Sequence, residues 1–331
     1  MLIEPIYEQD FLDCSYGFRP KRSAHDALQR LWEGQTKMKG GIVLELDIRK
    51  YFETVDHRQL QELVRQRISD GVVKRLLGKW LNAGVQKERR TSYPEEGVPQ
   101  GGVISPVLSN IYLHEVLDKW FYEEVTPRLR GTAFLVRYAD DVIVHCSTEE
   151  QARELLEAIR ERLGECGLEL HPTKTKIVYC KDDDRPGAFE EVKFDFLGYT
   201  FQPRRAKNRW GKHFVSFLPA ISQKGAKEIR ATIRSWRMSE TRNNQKLEDL
   251  ARLSNPVVRG WMNYYGRFYR SKCMQVLRYL NRALSKWVRR KYKDRFRKRE
   301  RAAEHWLGRI AQRERKLFVL WQLGVTPAAG Q

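Results

Sequence analysis

The chain of 331 residues is 41% hydrophobic, enough for one or two packed cores and too much for a disordered protein. Its net charge of +20 is unevenly spread, with 29 basic against 34 acidic residues over 1–200 and 33 against 8 over 201–331, the footprint of a polyanion partner. No apolar run reaches the ~18–20 residues of a membrane span, the acid-bearing amino terminus is unlike a signal peptide, and the five cysteines lie far apart without a C-x-x-C pair, which excludes a disulfide framework and a structural zinc site and points to a soluble cytoplasmic protein.

In chain order, Ser23 to Lys37 has a helical apolar stripe through Ala27, Leu28 and Leu31, broken by Gly40-Gly41. Gly41 to Phe52 then reads as a buried strand with one acid, Asp47, near its exit, followed by the aromatic pair Tyr51-Phe52. Asp56 to Ile68 and Gly71 to Leu81 read as helices. Glu96 to Asn110 is a Gly/Pro turn opening into a mostly apolar segment. Gly101 in it lets the backbone approach a ligand and Gln100 offers both a donor and an acceptor, although the segment taken alone favours a plain loop before a helix.

Phe134 to His145 is an apolar stretch with Tyr138-Ala139-Asp140-Asp141 at its centre, read as a hairpin tip. Adjacent carboxylates in such a stretch repel unless a cation offsets them; an ordinary Asp-rich turn is the competing reading. Asp47 tips the balance, because two-metal phosphoryl transfer needs carboxylates from separate strands converging on one point. Asp47, Asp140 and Asp141 would supply that set, and Mg²⁺ suits it as a hard cation that leaves room for phosphates and water.

Beyond the hairpin, Ser147-x-x-Glu150 reads as a capping box ahead of a helix with Leu155, Leu156, Ile159 and Leu163 on one face. Lys174 to Tyr179 reads as a strand, Asp182-Asp183-Asp184 as a solvated turn, and Phe194 to Phe201 as another strand. Charge changes abruptly near residue 205, and a hairpin is expected around Trp210-Gly211. Ser254-Asn255-Pro256 reads as a helix start, the helix running to about Tyr269; the spacing of Trp261, Tyr264, Tyr265 and Phe268 more often means core than a base-stacking platform, and does not settle which. A further helix from about Lys272 buries Leu277, Leu280, Leu284 and Trp287. Arg259, Arg267, Arg270, Arg289, Arg290, Lys291 and Lys293 would neutralise the backbone phosphates of a nucleic acid.

The acid-bearing strand, the Pro99-Gln100-Gly101-Gly102 loop and the Tyr-Ala-Asp-Asp hairpin, in this order, resemble the reverse transcriptase palm. The flanking segments 15–20, 97–106, 196–199 and 255–265 narrow the resemblance to group II intron-encoded reverse transcriptase/maturases, over nearly the whole chain. It implies an α+β right-hand polymerase: partial fingers and a palm with an antiparallel sheet over 1–205, and an α-helical thumb/maturase RNA-binding domain over 206–331. It implies RNA-directed DNA synthesis with two Mg²⁺ ions held by Asp47, Asp140 and Asp141. Phe52 would pack under the sugar and select deoxynucleotides, or be simple core. Gln100 would contact the incoming nucleotide. Lys174 would neutralise or protonate the departing pyrophosphate, or be a surface lysine. Arg19 would orient template or fingers, or act as a structural cap.

The implied partners are group II intron RNA, an RNA template with a DNA primer and deoxynucleoside triphosphates, with no membrane. Family members usually have several dozen fingers residues before the block that Leu2 to Glu8 resembles. Their absence from this sequence leads us to expect a truncation or a separate fingers fragment. No Cys/His clusters of an appended endonuclease follow Trp306. A non-catalytic RNA-binding splicing factor and an inactive truncated remnant therefore stand as alternatives.

Overall fold

The computed structural model describes residues 3–37, 41–81, 85–87, 90–92, 97–98, 102, 104–296 and 299–328. The chain divides into two compact units, Met1–Phe194 with Gln202–Phe217, and Asp195–Phe201 with Leu218–Gln331.

The first unit is built on a four-stranded antiparallel sheet. Its helices in chain order are α1 (Glu4–Tyr7), α2 (Ala24–Lys37), α3 (Tyr51–Thr54), α4 (His57–Arg67), α5 (Gly71–Leu81), α6 (Ser105–Leu113) and α7 (Glu149–Glu165). The sheet strands are β1 (Ile42–Asp47), β4 (Ala133–Tyr138), β5 (Asp141–Cys146) and β6 (Lys176–Tyr179), in the order β4-β5-β1-β6; a small ribbon pairs β2 (Val85–Lys87) with β3 (Arg90–Ser92). Side chains alternate across a strand, so Ile42, Leu44 and Leu46 share one face with Leu135, Val142 and Val144. That face packs on Leu60, Leu77, Leu108, Leu155 and Ile159 from the helices. The opposite face carries Val43, Phe134 and His145, all buried. Helix α2 covers β4 there. It comes so near that a Cβ on Gly34 would stand 2.1 Å from Cζ of Phe134.

Helix α6 continues as a π-helical segment, His114–Val125. Helix α7 begins one residue later than the capping box expected from Ser147: Thr148 is the cap, its hydroxyl accepting from the Gln151 N–H at 3.2 Å. The expected solvated turn at Asp182 is tied down as well. Asp182 pairs with the Arg185 guanidinium, and the Asp183 carboxylate accepts from the Val215 N–H at 2.9 Å.

Strands β7 (Phe194–Phe196), β8 (Tyr199–Lys207) and β9 (His213–Ile221) form a three-stranded sheet in that order. The second unit continues through α8 (Gln223–Ser235), α9 (Met238–Thr241), α10 (Leu247–Tyr265), α11 (Arg270–Lys291), α12 (Lys293–Phe296), α13 (Glu300–Arg313) and α14 (Val319–Gln322). Leu277, Leu280, Leu284 and Trp287 are buried, as the stripe on α11 predicts. Tyr199 packs against Tyr264, Tyr265 and Phe268 at ring distances of 5.7, 5.6 and 5.5 Å, so these aromatics serve the core.

The helix start expected at Ser254-Asn255-Pro256 is wrong, because α10 runs straight through Pro256 from Leu247. The start is held instead by Asp249, whose carboxylate accepts from the Lys246 N–H at 2.9 Å. Ser254 turns its hydroxyl back to the Leu250 carbonyl at 2.8 Å. Asn255 donates to the Leu317 carbonyl and accepts from the Val319 N–H, both at 2.9 Å. Its polar side chain serves the carboxy-terminal segment rather than a helix cap.

Candidate active site

Strand β1 delivers Asp47 at its last residue, and the chain then kinks through Lys50, which adopts a left-handed φ of 48°. The kink sends Tyr51 inward, where its hydroxyl donates to the Ser109 carbonyl at 2.9 Å, and leaves Phe52 half-buried. The β4–β5 hairpin turns through Ala139 and Asp140, Ala139 at φ 57°. Left-handed backbone in a residue with a Cβ costs roughly 1–2 kcal/mol and must be held by its surroundings. The register sets Asp141 directly opposite Asp47 on the neighbouring strand. Like charges so placed are unfavourable without a cation.

Asp47, Tyr51, Phe52, Asp140, His171 and Lys174 are among the residues lining a cavity of about 430 Å³. His171 arrives because the chain beyond α7 pairs with the exit of β1, its N–H donating to the Asp47 carbonyl at 2.7 Å. The Lys174 ammonium lies 3.2 Å from Asp47 Oδ2. Burial pushes the Asp140 carboxyl above its usual range, and the charge of Asp47 adds to this while a backbone hydrogen bond opposes it. Two carboxylates facing one cavity, one of them pushed toward its neutral form, suit a divalent cation, which binds through one or two carboxylates plus substrate oxygens. Asp141 is exposed and is not among the cavity residues. Among the described residues, no group of three or more His, Cys, Asp and Glu gathers around one point. Gln100 and Gly101 lie outside the described residues. Val98, which is described, donates its N–H to the carbonyl of the cavity residue Phe52 at 2.7 Å.

Arg137 is a component that sequence reasoning missed. It sits at 0% exposure on the Leu135 face of β4, beneath the turn. Its Nε and Nη2 hold Asp118, also at 0% exposure, at 2.8 and 2.5 Å, while Nη1 donates to Asn110 Oδ1 at 2.9 Å and to the Ala139 carbonyl at 3.0 Å. Asn110 in turn donates to the Gly17 carbonyl at 2.7 Å. The segment around Gly17 runs along the hairpin, the Tyr16 N–H donating to the Arg137 carbonyl at 2.9 Å and the Arg137 N–H to that of Cys14 at 2.8 Å. A Cβ on Gly17 would stand 2.4 Å from the Ala139 nitrogen. Of the two readings of Arg19, its contacts fill the structural one: it is buried, paired with Glu8, and donates to the carbonyls of Leu12 and Ser15 at 2.6 and 2.8 Å.

Residues 1–201 match the family model "Reverse transcriptase (RNA-dependent DNA polymerase)". The chain belongs to the reverse transcriptase family. Residues 226–306 match "Group II intron, maturase-specific domain", which sets this reverse transcriptase homologue among the group II intron-encoded proteins. Protein YkfC of Escherichia coli (strain K12) is 36% identical over 263 residues, covering 70% of this chain and 65% of that protein. Group II intron-encoded protein LtrA of Lactococcus lactis subsp. cremoris is 35% identical over 175 residues, covering 49% of this chain and 28% of LtrA. The "Uncharacterized 91 kDa protein in cob intron" of Schizosaccharomyces pombe (strain 972 / ATCC 24843) is 29% identical over 337 residues, covering 80% and 39%. This chain thus spans less than two thirds of the length of these relatives. Family membership and the antiparallel sheet carry the α+β right-hand polymerase class. Reverse transcriptases as a family use divalent metal ions.

Within the maturase-specific part of this reverse transcriptase homologue, Arg259, Arg267, Arg270, Arg290 and Lys293 are exposed. Arg289 pairs with Glu300 at 3.2 Å, and Lys291 donates to the Gln245 carbonyl with its ammonium 5.1 Å from the Trp287 ring centre. The last two are thus already engaged within the unit.

Proposed function

We propose that this chain is an RNA-directed DNA polymerase and intron maturase that extends a DNA primer on an RNA template and binds group II intron RNA. The observation that carries the polymerase reading is the meeting of Asp47, at the end of β1, and Asp140, in the β4–β5 turn, in one cavity with Phe52 and Lys174. Asp47 and Asp140 would hold Mg²⁺, with Asp141 assisting from the neighbouring register position. Two such ions, when bound, supply the charge that activates a primer 3′-hydroxyl and stabilises the leaving pyrophosphate.

The chain's own residues do the rest. Phe52 sits under the sugar of the incoming nucleotide and excludes a 2′-hydroxyl. Gln100 and Gly101 contact that nucleotide. Lys174 exchanges its pairing with Asp47 for the pyrophosphate, as neutraliser or proton donor. The exposed Arg259, Arg267, Arg270, Arg290 and Lys293 bind RNA phosphates, so affinity falls with salt. Residues 1–205 act as fingers and palm and 206–331 as thumb and maturase domain.

Primer extension on an RNA template with Mg²⁺ and deoxynucleotides tests the reading. Extension by this chain is expected to vanish in Asp140→Ala and in Asp47→Ala. RNA binding without extension by the parent chain would overturn the polymerase half and leave a non-catalytic RNA-binding splicing factor, the reading favoured by the basic carboxy-terminal region.

A further inference from the structure

The tip of the β8–β9 hairpin has the chemistry of a binding surface that the cavity residues do not account for. Over Gln202–Phe217 the chain carries five basic residues, Arg204, Arg205, Lys207, Arg209 and Lys212, and no acid. At the tip stands Trp210, 75% exposed, the highest value among the exposed large hydrophobic side chains of the described residues. An indole left in water forgoes the gain of burial, so its exposure calls for a reason.

The tip is nevertheless built rather than loose. Asn208 accepts on its side-chain oxygen from the Trp210 N–H at 3.0 Å and the Lys212 N–H at 2.9 Å. Its backbone closes the turn, its N–H donating to the Lys212 carbonyl at 2.9 Å and its carbonyl accepting from the Gly211 N–H at 3.0 Å. Gly211 takes the left-handed φ of 86° that such a closure needs. These bonds fix the Trp210 backbone, so its ring is presented with little further loss of conformational freedom.

The guanidinium of Arg209 lies over the ring, 4.0 Å from its centre, leaving the opposite face to solvent. Among the described residues, no carboxylate stands within ion-pair distance of Lys207, Arg209 or Lys212. A flat aromatic face backed by a cation and flanked by unneutralised ammonium groups matches an unstacked base with its adjoining phosphates.

We propose that this hairpin tip is a nucleic-acid contact, in which Trp210 stacks on an unpaired base of RNA while Lys207, Arg209 and Lys212 neutralise the flanking phosphates. It rests on the reading above that the chain handles RNA, and it adds a binding element away from the cavity residues. Stacking of this kind tolerates any base, so the site reads single-strandedness rather than sequence. A lipid surface with anionic headgroups would also accept a tryptophan and cations. The arginine stacked on one face of the indole, which presents the other as a flat surface, favours the base.

The test is the full chain and its Trp210→Ala, Trp210→Phe and Lys212→Ala variants, titrated by fluorescence anisotropy against a labelled single-stranded RNA 15-mer and the same strand in a duplex. Thermal unfolding serves as the folding control, since so exposed a side chain contributes little to the core. Trp210→Ala is expected to weaken single-strand binding about five- to hundredfold with the salt slope unchanged, Trp210→Phe to retain most of it, and the duplex to lose far less. Lys212→Ala should lower the salt slope by about 1. A 4-thiouridine-substituted RNA should cross-link to the Trp210 peptide. RNA bound equally well by parent and Trp210→Ala overturns the tip while leaving the wider reading standing. No binding by the parent overturns both. Trp210-dependent binding to phosphatidylserine vesicles, with RNA binding unaffected by the substitution, replaces the base by a lipid surface.

Discussion

Replacing Arg137 by Met should be among the most damaging single changes in the first unit. The guanidinium and the Asp118 carboxylate are both at 0% exposure and bonded through two N–H groups, so Arg137→Met leaves a buried carboxylate without its counter-charge. Breaking one side of such a pair costs about 3–5 kcal/mol, against a typical total stability of 5–15 kcal/mol. For a unit of this size that is a fall in melting temperature on the order of 10 °C. The double variant Arg137→Met/Asp118→Leu removes both charges and should recover most of the loss, because an apolar pair of similar volume avoids the desolvation that the ion pair must overcome. What the double variant does not recover is the bond from Nη1 to the Ala139 carbonyl, the contact that reaches into the turn bearing Asp140. Urea unfolding followed by circular dichroism checks the stability cycle, and primer extension checks the turn. Extension by the double variant should fall in kcat with little change in KM for template-primer. A double variant as unstable as Arg137→Met, or Arg137→Met within 1 kcal/mol of the parent, would refute the clamp.

Gly17→Ala sets a methyl against backbone atoms at 2.4 and 3.0 Å that have no flexible end to yield, so the hairpin must shift; about 1–3 kcal/mol of stability should go, together with extension activity, in the same two assays. His145 is fully buried with neither ring nitrogen hydrogen-bonded, and burial, with the charge of Arg185 adding, lowers its pKa from 6.5 to about 3. The unfolded chain therefore takes up a proton below pH 6.5 that the folded chain refuses, and stability present above that pH is lost as pH falls toward 3. At pH 5 the loss is about 2 kcal/mol relative to neutral pH, and His145→Leu should remove that increment from the pH dependence of the urea midpoint. An unchanged pH dependence in the variant would contradict the assignment. Asn255→Ala deletes two hydrogen bonds to the backbone of residues 317 and 319, which should cost ~1–3 kcal/mol in the second unit and raise amide exchange at Val319.

Much of the first unit was legible because its signals are local. A strand of apolar residues ending in Asp47, and a hairpin ending in Tyr138-Ala139-Asp140-Asp141, announce themselves by periodicity and by the cost of acids in apolar surroundings. Arg137 was legible in principle: alternation from Leu135 sets it on the inner face of β4, where a cation needs a partner. The identity of that partner was not, since Asp118 lies 19 residues back on a π-helical segment whose wider turn no apolar stripe reports. The misread start at Asn255 has a similar cause. Cap residues and Pro form a local signal, but the bonds from Asn255 to residues 317 and 319 and the burial of Ser254 are tertiary, and they outweigh it. Arg19 illustrates the converse, since an arginine in a motif block invites a substrate role until its donors are found satisfied by Glu8 and backbone carbonyls.

The clamp also explains how an acid at a strand end and an acid in a turn can be held together without a cation. Asp47 is fixed at the end of a central strand, flanked by β5 and β6, and gains little from moving. Asp140 sits in a turn strained at Ala139, and its carboxyl is pushed upward by burial and by Asp47, so both effects would let the hairpin open if it were held only by its own ladder. Arg137 counters this from below through the Ala139 carbonyl, and the backbone around Gly17 counters it from the side. Neither contact uses a carboxylate oxygen of Asp47 or Asp140; the Asp47 oxygens are instead paired with the Lys174 ammonium, 3.2 Å from Oδ2. A site organised in this way is set by the protein's own packing, and an arriving cation relieves repulsion without having to build the geometry.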